Sequence, residues 1–563
     1  MKYDVVIIGG GPGGSTVGCF LKKYTPHLKV AIYERERFPR DHVGESQLPA
    51  VSYILDEMGC WDKVEAAGFP IKIGATFRWG TTDDLWFFNF LPTEFEEAPR
   101  PARFEGQRRS TALQVDRARY DDILLRHAEE LGVEVSEETA VTKVNRDGDR
   151  VTGLELKDGT LIDSKWYVDA TGHVGLLRRA MGVEIEIPTG LQNVAFWDYW
   201  QNAEWAETIG RSGTRVQVMS LGYGWIWFIP IGPTRTSVGL VTPADHFKKS
   251  GLKPEEMYRQ ALAEEPRIAA LLERAESEGK FQGTKDWSFV AKRQCGENWF
   301  LAGESSGFAD PILAAGLTIT HTAAREVAFS ILEIERGEID GAWIRESYER
   351  RLEKRIRNHI RFADYWYSAN AQFSELKEFT QQIAKDNGLK MTPEESWRWL
   401  AQGGFIDEDL YIGNGGIDIN GIRDFAEFLY GGTPETLFAK NNVFRLNLVG
   451  AKPYDRAVYT EGRVEKVPCY LRDNRMLPLQ GAFYFWMEVL SRDTRLPGIM
   501  KMWNMIREHH REDPNFDREI AAQMTSAMEA LILDGWVEAS YDPALPLMPV
   551  SFRHTHHMRV QKK

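Results

Sequence analysis

The feature that most restricts how this 563-residue chain folds is a glycine loop set between a strand and a helix near its start. Residues 4–8, Asp-Val-Val-Ile-Ile, form a continuous β-branched run, the pattern of a strand buried on both faces in a parallel sheet. The run leads into Gly9-Gly10-Gly11-Pro12-Gly13-Gly14, after which residues 14–24 read as a helix and Leu28 to Tyr33 as a second strand ending at Glu34. Gly9, Gly11 and Gly14 supply the GxGxxG spacing, and an acid about 20 residues beyond completes the fingerprint of a βαβ dinucleotide site. Each glycine has its own task. Gly9 permits the tight turn, Gly11 lets backbone N–H groups approach a pyrophosphate, and Gly14 lets helix and strand pack closely. The helix N-terminus favours the negative charge, and Glu34 is placed to accept from ribose hydroxyls. The motif leaves NAD and FAD both open.

Composition narrows the partners. A net charge of −13 with no Lys/Arg block argues against nucleic acid, and the 18 Trp and 29 Phe are enough to line an apolar pocket around a planar molecule. The four cysteines (Cys19, Cys60, Cys295, Cys469) show no CxxC spacing, so no metal site or disulfide framework is expected and a reducing cytoplasm fits. The N-terminal residues run straight into a strand without the regions of a signal peptide, and no segment offers about 18 uninterrupted apolar residues, so the expectation is a soluble protein with no membrane partner.

Further on, Tyr120 to Leu131 reads as a helix, followed by a strand at Val133–Val135 and a hairpin with turns at Asp147-Gly148 and Asp158-Gly159. Trp299 to Ala302 reads as a strand returning to the nucleotide fold, with a helix after it through about 357. The expected architecture is α/β. A Rossmann-type cofactor domain (1–70, 109–185 and 285–357, with a parallel sheet) carries an inserted, mostly antiparallel sheet (71–108 and 186–284), and a mainly helical C-terminal region spans 358–563.

Three segments resemble the FAD-dependent monooxygenases with the hydroxybenzoate-hydroxylase type of fold: the glycine loop, Val-Asp-Ala-Thr-Gly at 168–172 with Ala170 and Gly172, and AGESSGFADPILAAGLT at 302–318. The resemblance implies FAD as cofactor, with Gly303, Glu304, Asp310, Gly316 and Leu317 beside its pyrophosphate, ribityl chain and ring edge. Most members have Asp where this chain has Glu304. Within that group, RDHVGESQLP at 40–49 (Arg40, Gly44, Glu45, Ser46), Lys72 in IKIGATFRWG, QVDRARYDDILL at 114–125 (Arg117) and WIWFIP at 225–230 are similar to flavin-dependent halogenases, in particular the branch acting on phenols, pyrroles and carrier-tethered substrates. The similarity covers about the first 350 residues, and Trp225, Trp227, Ile229 and Pro230 (WxWxIP) are its most specific part. In halogenases those tryptophans are walls, not reactants.

The resemblance implies that reduced FAD from a separate flavin reductase, O2 and chloride or bromide generate hypohalous acid, which Lys72 guides to an electron-rich carbon. A lysine suits this task because its ammonium can polarise hypohalous acid and its amine can form a haloamine, and partial desolvation brings both forms within reach. Halide would rest on the backbone N–H groups of Ala315, Gly316 and Leu317; many relatives have serines there, but alanine keeps the N–H donors. The glutamate of tryptophan-specific halogenases has no equivalent, so a small-molecule or carrier-tethered aromatic is the expected acceptor. Asp286 in KDWSF resembles the aspartate that links FAD covalently in one halogenase subgroup. The alternatives are an aromatic hydroxylase (monooxygenase) or prenyl reductase on the same fold, and a noncatalytic flavoprotein whose C-terminal region binds a partner. Gly11→Val and Gly14→Val should each abolish FAD binding, seen as loss of the yellow colour of the purified protein; full flavin occupancy in both would contradict the site's placement.

Overall fold

The computed structural model describes residues 2–79, 83–90, 112–187, 192–208, 213–285, 288–368, 437–473, 475–509, 521–548 and 558–561. The chain divides into two compact units: Met1–Ser374 with Tyr459–Val464 and Arg559–Lys563, and Glu375–Val458 with Glu465–Met558.

In the first unit, β1 (Lys2–Ile8) is the centre of the nucleotide sheet, because a continuous β-branched strand loses nothing by burying both faces. It pairs in parallel with β2 (Val30–Tyr33), Ile7 opposite Ile32, and with β9 (Leu161–Asp169), Ile7 opposite Val168. Two further parallel strands, β6 (Glu134–Ser136) on β2 and β18 (Trp299–Leu301) on β9, extend the sheet. The expected hairpin is present as β7 (Val141–Asp147) and β8 (Arg150–Leu156), with β8 antiparallel to β9. Helix α1 (Pro12–Tyr24) opens with Pro12, whose missing N–H would have had no partner in the first turn anyway. Two short helices, α2 (Pro49–Met58) and α3 (Trp61–Ala66), follow the loop at 40–49. Helix α4 (Arg117–Glu130) is capped by the Asp116 carboxylate, which accepts the Ala118 N–H at 3.0 Å. A short α5 (Leu176–Ala180) follows β9.

The helix expected to run through about 357 is two helices. α9 (Gly316–Arg336) stops at Gly337, whose φ of 71° suits the left-handed cap that ends a helix, and α10 (Gly341–Ser368) starts afresh.

The second sheet runs β15 (Glu276–Ser277), β11 (Asn193–Gln201), β14 (Arg235–Pro243), β13 (Gly224–Pro230), β12 (Gly213–Leu221), β3 (Ile71–Arg78) and β4 (Leu85–Asn89), with β16 (Gln282–Lys285) also on β11 and β5 (Ala112–Leu113) on β3. The described pairings along it are antiparallel except at one seam. There β3 meets β12 in parallel, Gly213 opposite Ile71, so the two chain segments expected to build this domain join along the one parallel contact. One face carries Phe196, Met219, Ile226, Phe228 and Leu240 against Tyr258 and Met257 of α7 (Pro254–Glu264), which lies between α6 (Ala244–Ser250) and α8 (Pro266–Leu271). The strand Met558–Gln561 lies beyond β4 in the second sheet, and a separate small sheet is formed by β10 (Ile185–Glu186), β17 (Phe289–Ala291) and β19 (Gly307–Phe308).

In the second unit, helices Gly481–Arg492, Leu496–His509 and Ala521–Leu533 and the paired strands β20 (Val443–Leu446) and β24 (Val537–Ser540) share a core of Phe438, Phe444, Trp486, Leu531 and Trp536. Strands β21 (Lys452–Thr460), β22 (Arg463–Arg472) and β23 (Arg475–Pro478) form a separate three-stranded sheet.

Three helices of the cofactor domain meet at one imidazole. His321 of α9 lies with Nδ1 2.8 Å from the Thr16 hydroxyl of α1 and with Nε2 2.8 Å from the Tyr120 hydroxyl of α4, and all three side chains are buried. Burial and the nearby Arg117 push the imidazole down to about 3, so it is neutral at ordinary pH and serves as a donor–acceptor bridge. His321→Leu strands two buried hydroxyls and should lower the Tm by about 2–5 °C, while His321→Gln, which keeps polar atoms there, should lose less in the same thermal melt.

Candidate active site

The three glycine-bearing segments meet at the C-terminal end of the nucleotide sheet. Gly9, at φ 102°, has no room for a side chain, since a methyl group there would lie 2.4 Å from the Ala170 carbonyl oxygen. A methyl on Gly14 would lie 1.9 Å from the Gly9 carbonyl oxygen, whereas one on Gly11 would meet nothing nearer than an Arg40 guanidinium nitrogen at 3.5 Å. Two crowded glycines thus hold a third open to a ligand, the arrangement a pyrophosphate needs. Gly13 faces Thr320 and Ala170, Gly303 faces Thr320, and Gly172 faces the Glu304 carboxylate. Glu34 accepts the N–H groups of Gly10 at 2.7 Å and Glu36 at 2.9 Å, which ties β2 to the loop and leaves carboxylate lone pairs for further donors. Burial pushes the Glu304 carboxyl up, with Arg117 and His173 pulling it back, and it has no hydrogen-bond partner among the described residues. A carboxylate with its lone pairs open there fits a ligand that donates hydroxyls.

A second layer is built from the loop at 40–49 and α4. The Arg117 guanidinium grips Asp121 through two bonds at 2.7 and 2.9 Å, and its third nitrogen donates to the carbonyls of Val43 at 2.9 Å and Gly44 at 3.2 Å. Arg40 reaches the same aspartate at 3.0 Å. Burial would raise the Asp121 carboxyl, but Arg117 and Arg40 outweigh it and hold the group below the ordinary carboxylate range. Glu45 is buried and its carboxyl is pushed up by desolvation; it accepts the Gly44 N–H and the Tyr199 hydroxyl. Ser46 pairs with Gln114 as an isolated bridge, and its buried hydroxyl has no partner among the described residues.

Lys72 lies on β3 beside this layer. It is 3% exposed, its Nζ donates to the Gln47 carbonyl at 3.0 Å, and the ammonium lies 5.4 Å from the centre of the Phe90 ring. Desolvation lowers its pKa to about 7, so amine and ammonium coexist at neutral pH.

On β13, the Trp225 N–H donates to the Tyr367 hydroxyl at 2.8 Å, and that hydroxyl donates to Asp310 at 3.0 Å. Asp310 also accepts the Ile312 N–H at 2.9 Å and the Asn193 amide at 3.3 Å, so the WxWxIP strand is joined to the Asp-Pro loop. The Trp227 indole lies across Gly239 of β14, where a methyl would come within 2.2 Å of the ring, and its N–H donates to Ser237 at 3.1 Å. Ile229 and Pro230 end the strand, Pro230 opposite Thr236. Ala315 precedes α9, and Gly316 and Leu317 open it, in the turn whose N–H groups lack intrahelical acceptors. Asp286 lies outside the described residues.

Four contributors to this geometry were missed in the sequence: Asp121, Tyr199, Gly239 and Tyr367. The spacing of Asp121 from Arg117, i to i+4 on a helix, was available as a signal, as was a glycine inside a strand run for Gly239. Nothing local marked the two tyrosines.

Fold and cradle together define an FAD-dependent oxidoreductase of the two-sheet monooxygenase type. The description of the tryptophan halogenase family matches residues 4–104 and 93–376, and the chain belongs to that family. It is 32% identical over 387 residues to the 1H-pyrrole-2-carbonyl-[peptidyl-carrier protein] chlorinase of Pseudomonas fluorescens, a match covering 66% of this chain and 85% of that one. Tryptophan 2-halogenase of Chondromyces crocatus is 30% identical over 390 residues, covering 68% and 71%. Among solved structures, the myxobacterial chondrochloren halogenase CndH superposes with a TM-score of 0.59 at 29% identity over 69% of this chain and 90% of its own. The flavin-dependent halogenase CmlS shares the fold across 99% of both chains, with a TM-score of 0.72 at 24% identity. The protein is accordingly a flavin-dependent halogenase using FAD and a halide. Among the described residues no helix is long and apolar enough to cross a membrane, and no three His, Cys, Asp or Glu side chains gather as a metal site.

The buried lysine makes stability depend on pH. Its amine is at about 7 in the folded protein against 10.5 when free, so between those values the unfolded chain holds the extra proton and stability rises with pH. Below pH 7 the fold carries the full cost of a buried ammonium. Lys72→Met should therefore raise the Tm, with the largest gain below pH 7 and a gain that shrinks towards pH 10; an equal gain across that range would contradict the burial of the amine.

Proposed function

We propose that this protein halogenates an electron-rich aromatic acceptor, small or carrier-tethered, with Lys72 guiding hypohalous acid to the carbon that is halogenated. The observation that carries this reading is the buried Lys72 amine, brought to about 7 and tied to Gln47 two residues beyond Glu45 of the loop that Arg117 braces. Bound reduced FAD, delivered by a separate flavin reductase, supplies the reduction of O2 that turns chloride or bromide into hypohalous acid. The chain does the rest. Gly9, Gly11, Pro12, Gly13 and Gly14 receive the pyrophosphate, Glu34 and Glu304 accept from the cofactor's hydroxyls, and Ala170, Gly172, Gly303 and Asp310 shape the floor. Arg40 and Arg117 fix the loop carrying Gly44, Glu45 and Ser46. Backbone N–H groups of Ala315, Gly316 and Leu317 hold the halide.

Lys72 then has two usable states. As ammonium it donates to the oxygen of hypohalous acid and polarises the oxygen–halogen bond; as amine its lone pair takes the halogen, with hydroxide and the amine proton leaving as water. The Trp225, Trp227, Ile229 and Pro230 strand keeps water from the oxidant. The relatives that halogenate a carrier-bound pyrrole support a tethered acceptor, and four buried cysteines outside any disulfide fit work in the cytoplasm.

Supplying reduced FAD, O2 and bromide with a panel of phenols, indoles and pyrroles should give brominated product by mass spectrometry. Lys72→Ala should keep FAD binding and O2 consumption and lose product by more than about 10²-fold, and Lys72→Arg should not restore it, because a guanidinium does not deprotonate to a nucleophile. Near wild-type halogenation by Lys72→Ala overturns the role of Lys72. Hydroxylated product that ignores halide overturns the reaction class.

A further inference from the structure

Glu45 is 1% exposed and is held from two sides: its Oε2 accepts the Gly44 N–H at 3.0 Å and its Oε1 accepts the Tyr199 hydroxyl at 3.1 Å. Tyr199 comes from β11 of the other sheet, and the same hydroxyl lies 3.2 Å from the His42 carbonyl. A phenol has one proton, so Tyr199 chooses between these two acceptors. The ring itself has little freedom. Arg235 lies 4.0 Å from its centre, and that guanidinium is bonded to carboxylates from three segments: Asp41 at 3.0 Å, Asp116 at 2.8 Å and Glu278 at 3.0 Å. Lys280 closes the cluster on Asp41 and Glu278.

We propose that Tyr199, clamped by Arg235, is the positioning residue that sets the ionisation of Glu45, its proton turning from the Glu45 carboxylate to the His42 carbonyl when Glu45 takes up a proton. The other groups facing Glu45 leave this task to Tyr199. Arg117 of α4 favours the carboxylate, but its guanidinium is fixed bidentate on Asp121 and faces Glu304 as well. His42 is neutral, held down to about 3 by burial and Arg117, and the Gly44 N–H is a fixed donor. Desolvation pushes Glu45 up while the Gly44 N–H, Arg117 and Tyr199, in that order, pull it down, and of these the phenol alone has a second acceptor to turn to. Asp41 sits in the same loop as Glu45 and also bonds Arg235, so one cluster fixes both the loop and the ring that reads it.

The sign follows from the donor. A phenol donating to a carboxylate is stronger than one donating to a neutral carboxyl, so its contribution to stability grows as Glu45 ionises. A carboxyl whose folded pKa is raised loses stability as pH rises from its free value through the folded one, and Tyr199 reduces that loss. The proposal rests on the flavin-loop placement given above, yet the hydrogen bond can be read without any product.

The experiment is a thermal double-mutant cycle of Tyr199→Phe and Glu45→Gln in the FAD-saturated full chain, from pH 5 to pH 8, with Arg235→Met beside it. The Tyr199→Phe loss of Tm should be larger at pH 8 than at pH 5, by about 2 °C or more, and the pH dependence should vanish in the Glu45→Gln background. Arg235→Met should reproduce the pH trend with smaller amplitude. In the pH–rate profile, Tyr199→Phe should move the acid limb upward, to about tenfold tighter proton binding. A Tyr199→Phe loss equal at both pH values, or unchanged when Glu45 is already Gln, overturns the proposal. An intact thermal cycle in a protein that yields no halogenated product counts against the halogenase role of the site and leaves the hydrogen bond in place.

Discussion

The buried pair of Arg117 and Asp121 is the interaction on which the rest of the site depends. Both side chains are out of water, so neither is tolerable without the other; breaking such a pair from one side costs about 3–5 kcal/mol because a bare charge is left inside. What the pair supports is a geometry. With Asp121 neutralising it, Arg117 directs its remaining nitrogen at two loop carbonyls, Val43 and Gly44, and Arg40 is recruited by the same carboxylate to stand beside Gly11. The loop at 40–49 has little regular structure of its own, and this ion cluster stands in for a sheet ladder.

The loop matters because it is where the two sheets of the first unit communicate. Gln47 accepts from Lys72 of β3, Glu45 accepts from Tyr199 of β11, and Asp41 bonds Arg235 of β14. The parallel pairing of β3 with β12 fixes Lys72 in the second sheet, directly after the helices α2 and α3 that follow the loop. On the far side, Trp225 reaches Asp310 through Tyr367, so the Asp-Pro loop and the WxWxIP strand are joined there as well.

Much of this was readable in the chain, for reasons that differ by element. The β1–loop–α1–β2 unit was legible because a doubly buried strand, crowded glycines and an acid at the strand end each leave a mark at a fixed spacing. The break between α9 and α10 was not read, since Gly337 is a single glycine between two segments rich in helix-forming residues. The parallel seam of β3 with β12 has no local signature at all: register between distant strands is set by the assembled faces. Trp227 was recognised as a motif residue, but what fixes it is Gly239 on the neighbouring strand, a residue whose meaning appears only once the strands are paired. Tyr199 and Tyr367 looked like ordinary alternating and helical aromatics, and their hydroxyls acquire partners only through tertiary structure.

The chemistry of Lys72 shows why this design tolerates change around it. Two routes bring an amine to about 7: a neighbouring positive charge, or removal from water. Here burial alone does it, and the polar partner among the described residues is a carbonyl, which can accept from an amine as well as from an ammonium. A carboxylate in that position would hold the proton, and a second cation would impose a charge the acceptor also feels. The same economy holds for the halide site proposed at the α9 N-terminus, where the donors belong to the backbone. Substitution of Glu304 for aspartate is compatible with it too, because the carboxylate is bonded to no described residue and its extra methylene displaces no partner. In the proposed mechanism the reacting groups rest on backbone dipoles and a single desolvated amine, so specificity for the acceptor has to come from other side chains.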